Sequence, residues 1–264
     1  MKKATRALAA IMTFALLLGF AGCNSNDGKN TQTSTTGTTA GKKYLIVADN
    51  SFAPFEFLDA ATNTYVGVDM DILAAIAADQ GFSYTVDNCG WDASLGNLAN
   101  GQADGMIAGM TITDERKETY DFSNAYFEDG QTLFAKADSN FSGLEDIKGK
   151  TVAVKTGTMG ASYVESLKEE YELTVNSYEG SDEVYAAVSS GNVDLGVEDF
   201  SVISYKIDAA GLSFKLVGEK VNVKPYGFAV LKGKNAELLT LFNAGLANIK
   251  ANGTYETILA KYGI

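Results

Sequence analysis

The sequence contains no histidine among its 264 residues. Catalytic pairs of the Ser–His or Cys–His type and metal centres built on imidazole are therefore excluded. Cysteine is almost as scarce, because only Cys23 and Cys89 are present and no Cys-x-x-Cys pair of the kind that binds zinc occurs. We expect a protein with no metal, no cofactor and no catalytic residue, and so not an enzyme.

Basic residues are also few. The chain has 21 lysines and arginines against 33 aspartates and glutamates, a formal net charge of −12. So acidic a protein is unsuited to bind nucleic acid through a broad basic face. The segment "GLEDIKGKT" at 143–151 looks like a phosphate-binding loop, but it has five residues between its glycines instead of four and precedes a strand. Nucleotide binding is therefore not expected.

Long apolar runs are missing except at the amino terminus. Residues 1–22 combine a basic start, "MKKATR", with an apolar stretch that ends in small residues directly before Cys23. This pattern is typical of a bacterial lipoprotein signal peptide, whose cysteine is lipidated and becomes the first mature residue. Phe20 stands where leucine is usual, and an ordinary secretory signal cut nearby is the alternative. Either signal places the protein outside the cytoplasm.

Residues 23–41 contain almost nothing that could be buried, and such Ser/Thr/Gly/Asn tracts act as flexible linkers. Behind a lipidated Cys23, the linker would let a folded body stand off the membrane. Only Cys89 then remains, so the body depends on core packing and not on a disulfide. We expect a monomer anchored by lipid to a bacterial membrane, at the cell surface or in the periplasm.

From residue 42 onward, segments with strand and helix patterns alternate. Short apolar runs predict strands at 44–48, 82–86 and 104–109, and apolar residues at helical spacing predict helices over 68–81 and 91–102. This β-α-β-α-β order is typical of a mostly parallel sheet flanked by helices.

A second series resembles the first. Strands at 151–154, 173–178 and 193–197 alternate with helices over 160–171 and 181–191, and an "NGQAD" or "SGNVD" turn precedes the third strand of each series. The chain then ends on a strand and two amphipathic helices. We therefore predict an α/β fold of two similar lobes.

Two extended segments, near 126–133 and 222–228, connect the lobes and form a predicted hinge. Lobe 1 would comprise 42–128 together with 226–264, and lobe 2 would comprise 129–225. Ligands of open α/β sheets bind at the carboxyl ends of the strands, so we expect a site in the cleft between the lobes.

The stretch "GMTITDERKETYDFS", which begins at Gly109, follows the third strand and contains an unusual arginine. Thr113 is a good N-cap, and acidic residues suit the positive end of a helix, whereas Arg116 opposes the helix dipole. Together with helix-start amides and the Thr111 hydroxyl, the arginine fork could bind a carboxylate. The alternative is a surface ion pair with an acidic neighbour: Asp114, Glu115 or Asp121.

Five motifs appear in order: "SFAPFEF", "GVDMDILAAIA", "GMTITDERKETYDFS", "VAVKTGT" and "VEDFS". In this combination the sequence resembles the family 3 extracellular solute-binding proteins, which deliver polar amino acids to ABC importers, over essentially all of 42–264. The resemblance implies a type II periplasmic-binding-protein clamp with a two-strand hinge and an ABC permease as partner. It also implies that Arg116 holds the ligand α-carboxylate and that Asp199 holds the α-ammonium, where a simple N-cap is the alternative for Asp199.

The resemblance places further residues in the site. Phe52 and Trp91 are expected to sandwich the ligand, whereas Phe55 and Phe57 are expected in the core. Thr158 would meet the carboxylate from the second lobe, and an N-cap role could coexist with this contact. The complete predicted site is Asp49, Phe52, Trp91, Gly109, Met110, Thr111, Arg116, Lys155, Thr158, Met159, Glu198 and Asp199.

Asp49 and Lys155 resemble positions that bracket a side-chain amide in the glutamine-binding branch. An amide is both donor and acceptor, which suits an acid beside an amine, so glutamine is the expected ligand. Glu198 departs from the family pattern and leaves the identity of the ligand open, and it could instead pair with Lys155 across the cleft.

Two other functions stay open. A few relatives with this fold are amino-acid dehydratases of the cyclohexadienyl dehydratase type, in which Glu198 could act as a general acid with a pKa raised by burial. A ligand-sensing module that docks on a receptor is the other, although the sequence shows no second span or signalling domain that would favour it.

Overall fold

The structure is a computed structural model, and it describes residues 42–264. The predicted signal peptide 1–22, the predicted lipidation site Cys23 and the predicted linker 23–41 all lie outside the described residues. Within the described part, none of the helices has the length and apolar character needed to span a membrane.

The described chain forms thirteen strands and eight α-helices. In chain order the strands are β1 (Lys43–Ala48), β2 (Ser51–Phe52), β3 (Glu56–Asp59), β4 (Thr64–Val66), β5 (Ser83–Asn88), β6 (Gly105–Met106), β7 (Tyr120–Phe122), β8 (Phe127–Lys136), β9 (Thr151–Lys155), β10 (Thr174–Tyr178), β11 (Leu195–Asp199), β12 (Phe214–Tyr226) and β13 (Ala229–Leu231). The helices are α1 (Val68–Gln80), α2 (Trp91–Ala99), α3 (Arg116–Thr119), α4 (Met159–Leu167), α5 (Ser181–Ser190), α6 (Phe200–Asp208), α7 (Ala236–Ala251) and α8 (Thr254–Lys261), with a 3-10 helix at Leu144–Asp146.

The first sheet has the strand order β5-β1-β6-β13-β7. Its first three strands are parallel, as the β-α-β-α-β pattern predicts, and β13 pairs antiparallel with β6 and β7. Successive residues of β1 point to opposite faces. Ile46 belongs to the same hydrophobic cluster as Ile72 of α1, and Val47 to the cluster of Leu98 of α2. Helices thus cover both faces, which explains the continuous apolar run of β1.

The second sheet has the order β10-β9-β11-β8-β12, and it repeats this plan. The strands β10, β9 and β11 are parallel, whereas β8 runs antiparallel to both of its neighbours. Val152 clusters with Val164 of α4 on one face, and Ala153 clusters with Val188 of α5 on the other. The predicted α/β fold with two sheets is confirmed. Each sheet is mixed, because one strand, β13 in the first sheet and β8 in the second, runs against the other four, so the predicted mostly parallel character is retained.

Two long strands, β8 and β12, form an antiparallel ladder from the pair Phe214–Lys136 to the pair Tyr226–Phe127. The ladder is irregular, with register shifts on both sides of Val221. Opposite this irregularity, Gly130 allows a close approach, because a Cβ there would lie 2.3 Å from the Val221 carbonyl oxygen. At the end of the ladder, Tyr226 also makes an isolated bridge to Thr111, next to the first sheet. These strands overlap the segments predicted as the hinge, 126–133 and 222–228.

Local boundaries differ from the sequence prediction around Arg116 and Phe57. Helix α3 has only four residues and begins at Arg116, although Thr113 still acts as a cap, since its Oγ1 accepts the Arg116 N–H at 3.1 Å. A small sheet of β2, β3 and β4 was not predicted. Phe57 lies on it, only half-buried, and packs against Tyr205 at 6.1 Å between ring centroids, so its assignment to the core is wrong. Phe55 is fully buried as expected.

Candidate functional site

A cavity lies where residues that end or follow strands of both sheets come together. Parallel strands present their carboxyl ends at one sheet edge, so residues far apart in sequence meet there. Eleven of the twelve predicted site residues line this cavity. They are Asp49, Phe52, Trp91, Gly109, Thr111, Arg116, Lys155, Thr158, Met159, Glu198 and Asp199.

Met110 is the exception, because it does not line the cavity. Neighbouring residues of an extended segment point in opposite directions, and the Met110 side chain is fully buried in the cluster that contains Val47 and Leu98. Three small or apolar residues that were not predicted also line the cavity: Ala108, Gly160 and Val197. Each adjoins or nearly adjoins a predicted residue, and the sequence carries no further signal for them.

Gly109 occupies a position that only glycine suits. Its φ is +53°, and a Cβ would lie 2.5 Å from the Phe52 ring. Its N–H donates to Asp69 Oδ2 at 2.9 Å, behind the cavity wall. Burial raises the pKa of Asp69 to about 6, although the hydrogen bonds from Gly109 and Tyr126 oppose this rise. The missing side chain lets the Phe52 ring pack directly against the backbone at Gly109.

The two predicted aromatic walls, Phe52 and Trp91, are buried beside the cavity. Phe52 stacks on Phe55 with 5.6 Å between ring centroids. The guanidinium carbon of Arg116 lies 5.2 Å from the Trp91 ring centroid, within the range of a cation–π contact. Both rings are therefore part of the hydrophobic core and also line the cavity, so the two predicted alternatives, core packing and a cavity wall, hold together.

The guanidinium of Arg116 is held by main-chain oxygens on both sides of the cavity. One nitrogen, Nη1, donates to the Thr111 carbonyl at 2.9 Å, and Nη2 donates to the Gly157 carbonyl at 3.2 Å. Neither contact neutralises its charge. Within residues 42–264 no carboxylate lies within ion-pair distance of Arg116.

The surface ion pair considered for Arg116 is therefore wrong. Asp114 pairs with Lys117 at 3.1 Å, and Asp121 accepts the Gly233 N–H at 2.7 Å. The arginine is left with its charge directed at the cavity. A cation is tolerated at the start of α3 because a helix of four residues has only a weak dipole, and the Arg116 side chain lines the cavity.

Asp199, at the end of β11, is the acidic counterpart on the second sheet. It precedes α6, but its side chain makes no capping hydrogen bond, and the Ser201 N–H donates instead to Asp129 Oδ2 at 2.9 Å. Burial, together with the neighbouring charge of Glu198, raises the pKa of Asp199 to about 7. No cationic side chain of the described chain lies within ion-pair distance of it. The alternative that Asp199 is a simple N-cap of α6 is thus wrong.

Asp49 and Lys155 form a buried ion pair across the cavity, with side chains 4% and 5% exposed. Asp49 follows β1 of the first sheet, and Lys155 ends β9 of the second. Lys155 also lies 5.6 Å from the Phe52 ring centroid. The two residues close one end of the cavity with a pair whose charges cancel.

Glu198 does not pair with Lys155, which corrects that alternative. Its Oε2 accepts the Tyr185 hydroxyl at 2.9 Å, and its Oε1 accepts the Asp199 N–H at 3.1 Å. Burial raises the pKa of Glu198, although Lys155 is near enough to oppose part of the rise. The Lys155 ammonium pairs with Asp49, and Glu198 lines the cavity with both carboxylate oxygens accepting hydrogen bonds.

Thr158 is the N-cap of α4, as considered. Its Oγ1 accepts the Ala161 N–H at 3.2 Å and donates to the Lys155 carbonyl at 2.7 Å. The hydroxyl is therefore engaged within its own loop. What this element offers the cavity is the amino-terminal end of a nine-residue helix, a favourable place for negative charge.

Comparison with known proteins gives a consistent result. Residues 44–264 match the family described as bacterial extracellular solute-binding proteins, family 3. The chain is 33% identical to an arginine-binding periplasmic protein of Mannheimia haemolytica over 85% of this chain and 92% of that protein. It is 31% identical to the ABC transporter glutamine-binding protein GlnH of Bacillus subtilis, over 97% of this chain and 95% of that protein.

A solved structure supports the same assignment. An ancestral arginine-binding protein bound to glutamine superposes with a TM-score of 0.77 at 35% identity, over 84% of this chain and 97% of that one. The two-lobed architecture of type II periplasmic amino-acid-binding proteins, predicted from the resemblance, is thereby confirmed.

Proposed function

Because this chain belongs to the bacterial extracellular solute-binding proteins of family 3, we propose that it captures a free polar amino acid, with glutamine favoured, for an ABC importer. One observation carries the proposal. Arg116 and Asp199 have opposite charges, line the same cavity and have no ionic partner among the described residues. A buried charge is stable only when it is paired. A zwitterion supplies both partners at once.

In the proposed complex, Arg116 binds the α-carboxylate. Two of its N–H groups hold the Thr111 and Gly157 carbonyls, which fixes the plane of the guanidinium and leaves other N–H groups for the ligand. The start of α4 at Thr158 adds a favourable dipole from the second lobe. Asp199 binds the α-ammonium, and Phe52 and Trp91 cover the carbon skeleton.

The preference for glutamine rests on the Asp49–Lys155 pair. An amide can accept from the Lys155 amine and donate to the Asp49 carboxylate, so inserting between them leaves each charge with a hydrogen-bond partner. A guanidinium would face the Lys155 charge, and a carboxylate would face that of Asp49. The relatives named above bind arginine or glutamine according to their names, and the ion pair favours glutamine for this chain.

The proposed clamp closes by rotation about the segments 126–133 and 222–228. Lobe 1 would comprise 42–128 with 226–264, and lobe 2 would comprise 129–225, as proposed from the sequence. The Arg116–Gly157 hydrogen bond and the Asp49–Lys155 pair join residues assigned to different lobes. Closure would therefore bring together the Arg116–Gly157 and Asp49–Lys155 contacts around the bound ligand, and an ABC permease would then receive the ligand.

The dehydratase alternative rests on Glu198, whose pKa is raised by burial. Both of its oxygens already accept hydrogen bonds, and the named relatives are binding proteins, so capture is favoured over chemistry. Incubation with arogenate, followed by chromatography for phenylalanine, separates the two. Formation of phenylalanine would support the enzyme and overturn the binding-only proposal.

A thermal-shift screen against the twenty common amino acids tests the proposal as a whole. A ligand that binds only the folded state stabilises it by about 2.7 kcal/mol at one hundred times its Kd, which raises the melting temperature by several degrees. We expect the largest rise with L-glutamine. If no amino acid changes the melting temperature, the proposed function is wrong, and if only arginine does, the inference from the Asp49–Lys155 pair is wrong.

A further inference from the structure

The carboxylate of Asp199 is held by both long strands of the hinge ladder. Its Oδ1 accepts from Gln131 Nε2 at 2.9 Å, and its Oδ2 accepts from the Tyr226 hydroxyl. Gln131 lies on β8 and Tyr226 ends β12, the two strands whose ladder overlaps the proposed hinge segments. Asp199 itself ends β11, so three strands meet at one carboxylate.

Tyr226 also contacts the segment that carries Arg116. Its backbone bridges to Thr111, whose carbonyl accepts from Arg116 Nη1 at 2.9 Å. The ring is fully buried and packs edge-on against Phe55 with 5.4 Å between centroids. One residue therefore joins the arginine side of the cavity to the aspartate side.

We propose that Tyr226 and Gln131 are positioning residues that keep Asp199 oriented and ionised for the ligand ammonium, and that tie ammonium recognition to the hinge. This inference rests on the proposed function, because it takes Asp199 as the ammonium site. Neither residue lines the cavity. Both act through Asp199.

The charges around Asp199 explain why such support is needed. Glu198 precedes it on β11, Asp129 lies on β8 beside Lys220 of β12, and Arg116 faces it from α3. Burial and the two neighbouring acids raise the pKa of Asp199, while the hydrogen bonds from Tyr226 and Gln131 lower it. Without the Tyr226 hydroxyl, Asp199 would hold its proton to a higher pH.

Tyr226→Phe isolates this effect, since it removes the hydroxyl and keeps the ring. As the pH is lowered, Asp199 takes up a proton and the affinity for an amino acid decreases. In the variant this decrease begins at a higher pH. Loss of one hydrogen bond to a charged group corresponds to a shift of about one pH unit. We therefore expect binding about tenfold weaker than the parent at pH 6, with the difference closing to within about twofold at pH 9.

The control is Tyr255→Phe, which also removes a tyrosine hydroxyl, here from a partly buried residue whose hydroxyl donates to the main-chain oxygen of Tyr126. Calorimetric titrations with L-glutamine, or with L-arginine if the parent prefers it, are run from pH 6 to pH 9 on both variants. Gln131→Met serves as a second probe, since it removes the other donor without adding charge. It should shift the profile in the same direction. Circular dichroism confirms that each variant is folded.

The outcomes separate the inference from the proposed function. A parent-like pH profile in both Tyr226→Phe and Gln131→Met, or the same fold loss at every pH, would refute the positioning role. Asp199→Asn tests the ammonium site independently. If that variant binds like the parent, the proposed function is wrong; if it loses binding while the two positioning variants keep the parent profile, only this inference fails.

Discussion

Substitution of Arg116 by lysine keeps the positive charge but removes the planar fork, and we predict a large loss of amino-acid affinity. In the structure the guanidinium donates to the Thr111 carbonyl at 2.9 Å and to the Gly157 carbonyl at 3.2 Å, with further N–H groups free for a carboxylate. A lysine amine has three donors at one point and cannot hold both carbonyls and a bidentate carboxylate.

The magnitude follows from what is lost. Breaking one side of a buried, hydrogen-bonded charge pair costs about 2–5 kcal/mol. Because lysine retains the charge, we expect the lower part of this range, about 2–3 kcal/mol, which is a rise in Kd of about 30- to 150-fold. Isothermal titration calorimetry of the parent and Arg116→Lys with L-glutamine at pH 7.5 measures it.

Lys117→Met provides the matched control. Lys117 is the next residue, and it pairs with the fully exposed side chain of Asp114, an interaction worth about 1 kcal/mol or less. It should leave the Kd unchanged within about twofold. If Arg116→Lys binds as tightly as this control, then the arginine does not hold the carboxylate and the reasoning from its unpaired charge fails.

Four further predictions concern the membrane anchor, the clamp, ligand selectivity and the pH dependence of stability. Cys23→Ser should release the protein from membranes, and a variant that still sediments with membranes would argue against lipidation. Ligand should make the protein more compact by closure about 126–133 and 222–228, so small-angle scattering curves that superimpose with and without ligand would exclude the clamp. Asp49→Ala should reorder affinities across a panel of amino acids without abolishing binding, and unchanged preferences in calorimetry would contradict its role at the side-chain end. The pKa of Asp199 rises from an ordinary 3.8 to about 7 on folding, so the free energy of unfolding of the ligand-free protein decreases as pH rises from about 4 to 7. Urea unfolding should show a smaller decrease in Asp199→Asn. The same dependence of the free energy of unfolding on pH in both proteins would refute this prediction.

The sequence was sufficient to predict the features that depend on local periodicity. Apolar runs and helical spacing locate the parallel strands and their helices, because each pattern reflects burial of one element. The resemblance to the solute-binding family, and not periodicity, indicated Asp49, Lys155 and Asp199 as site residues. Their positions agree with this, because each ends or directly follows a strand.

Features that depend on long-range pairing could not be predicted in this way. The antiparallel placement of β8 and β12 is fixed by the ladder between them, which no local pattern encodes. The choice of Asp49 over Glu198 as the partner of Lys155 depends on distances across the cavity. The local pattern places Tyr226 and Gln131 only in extended connections, although their side chains reach Asp199 from 27 and 68 residues away.

A double cycle of protein and ligand changes can test whether Arg116 binds the α-carboxylate of the ligand. Calorimetry would compare L-glutamine with 4-aminobutanamide, which lacks the α-carboxylate, on the parent and on Arg116→Lys. We predict that the substitution weakens binding of glutamine by about 30-fold or more, but binding of the decarboxylated amide by less than about threefold. Equal losses for the two ligands would contradict it, because Arg116 would then act on the fold of the cleft and not on the carboxylate.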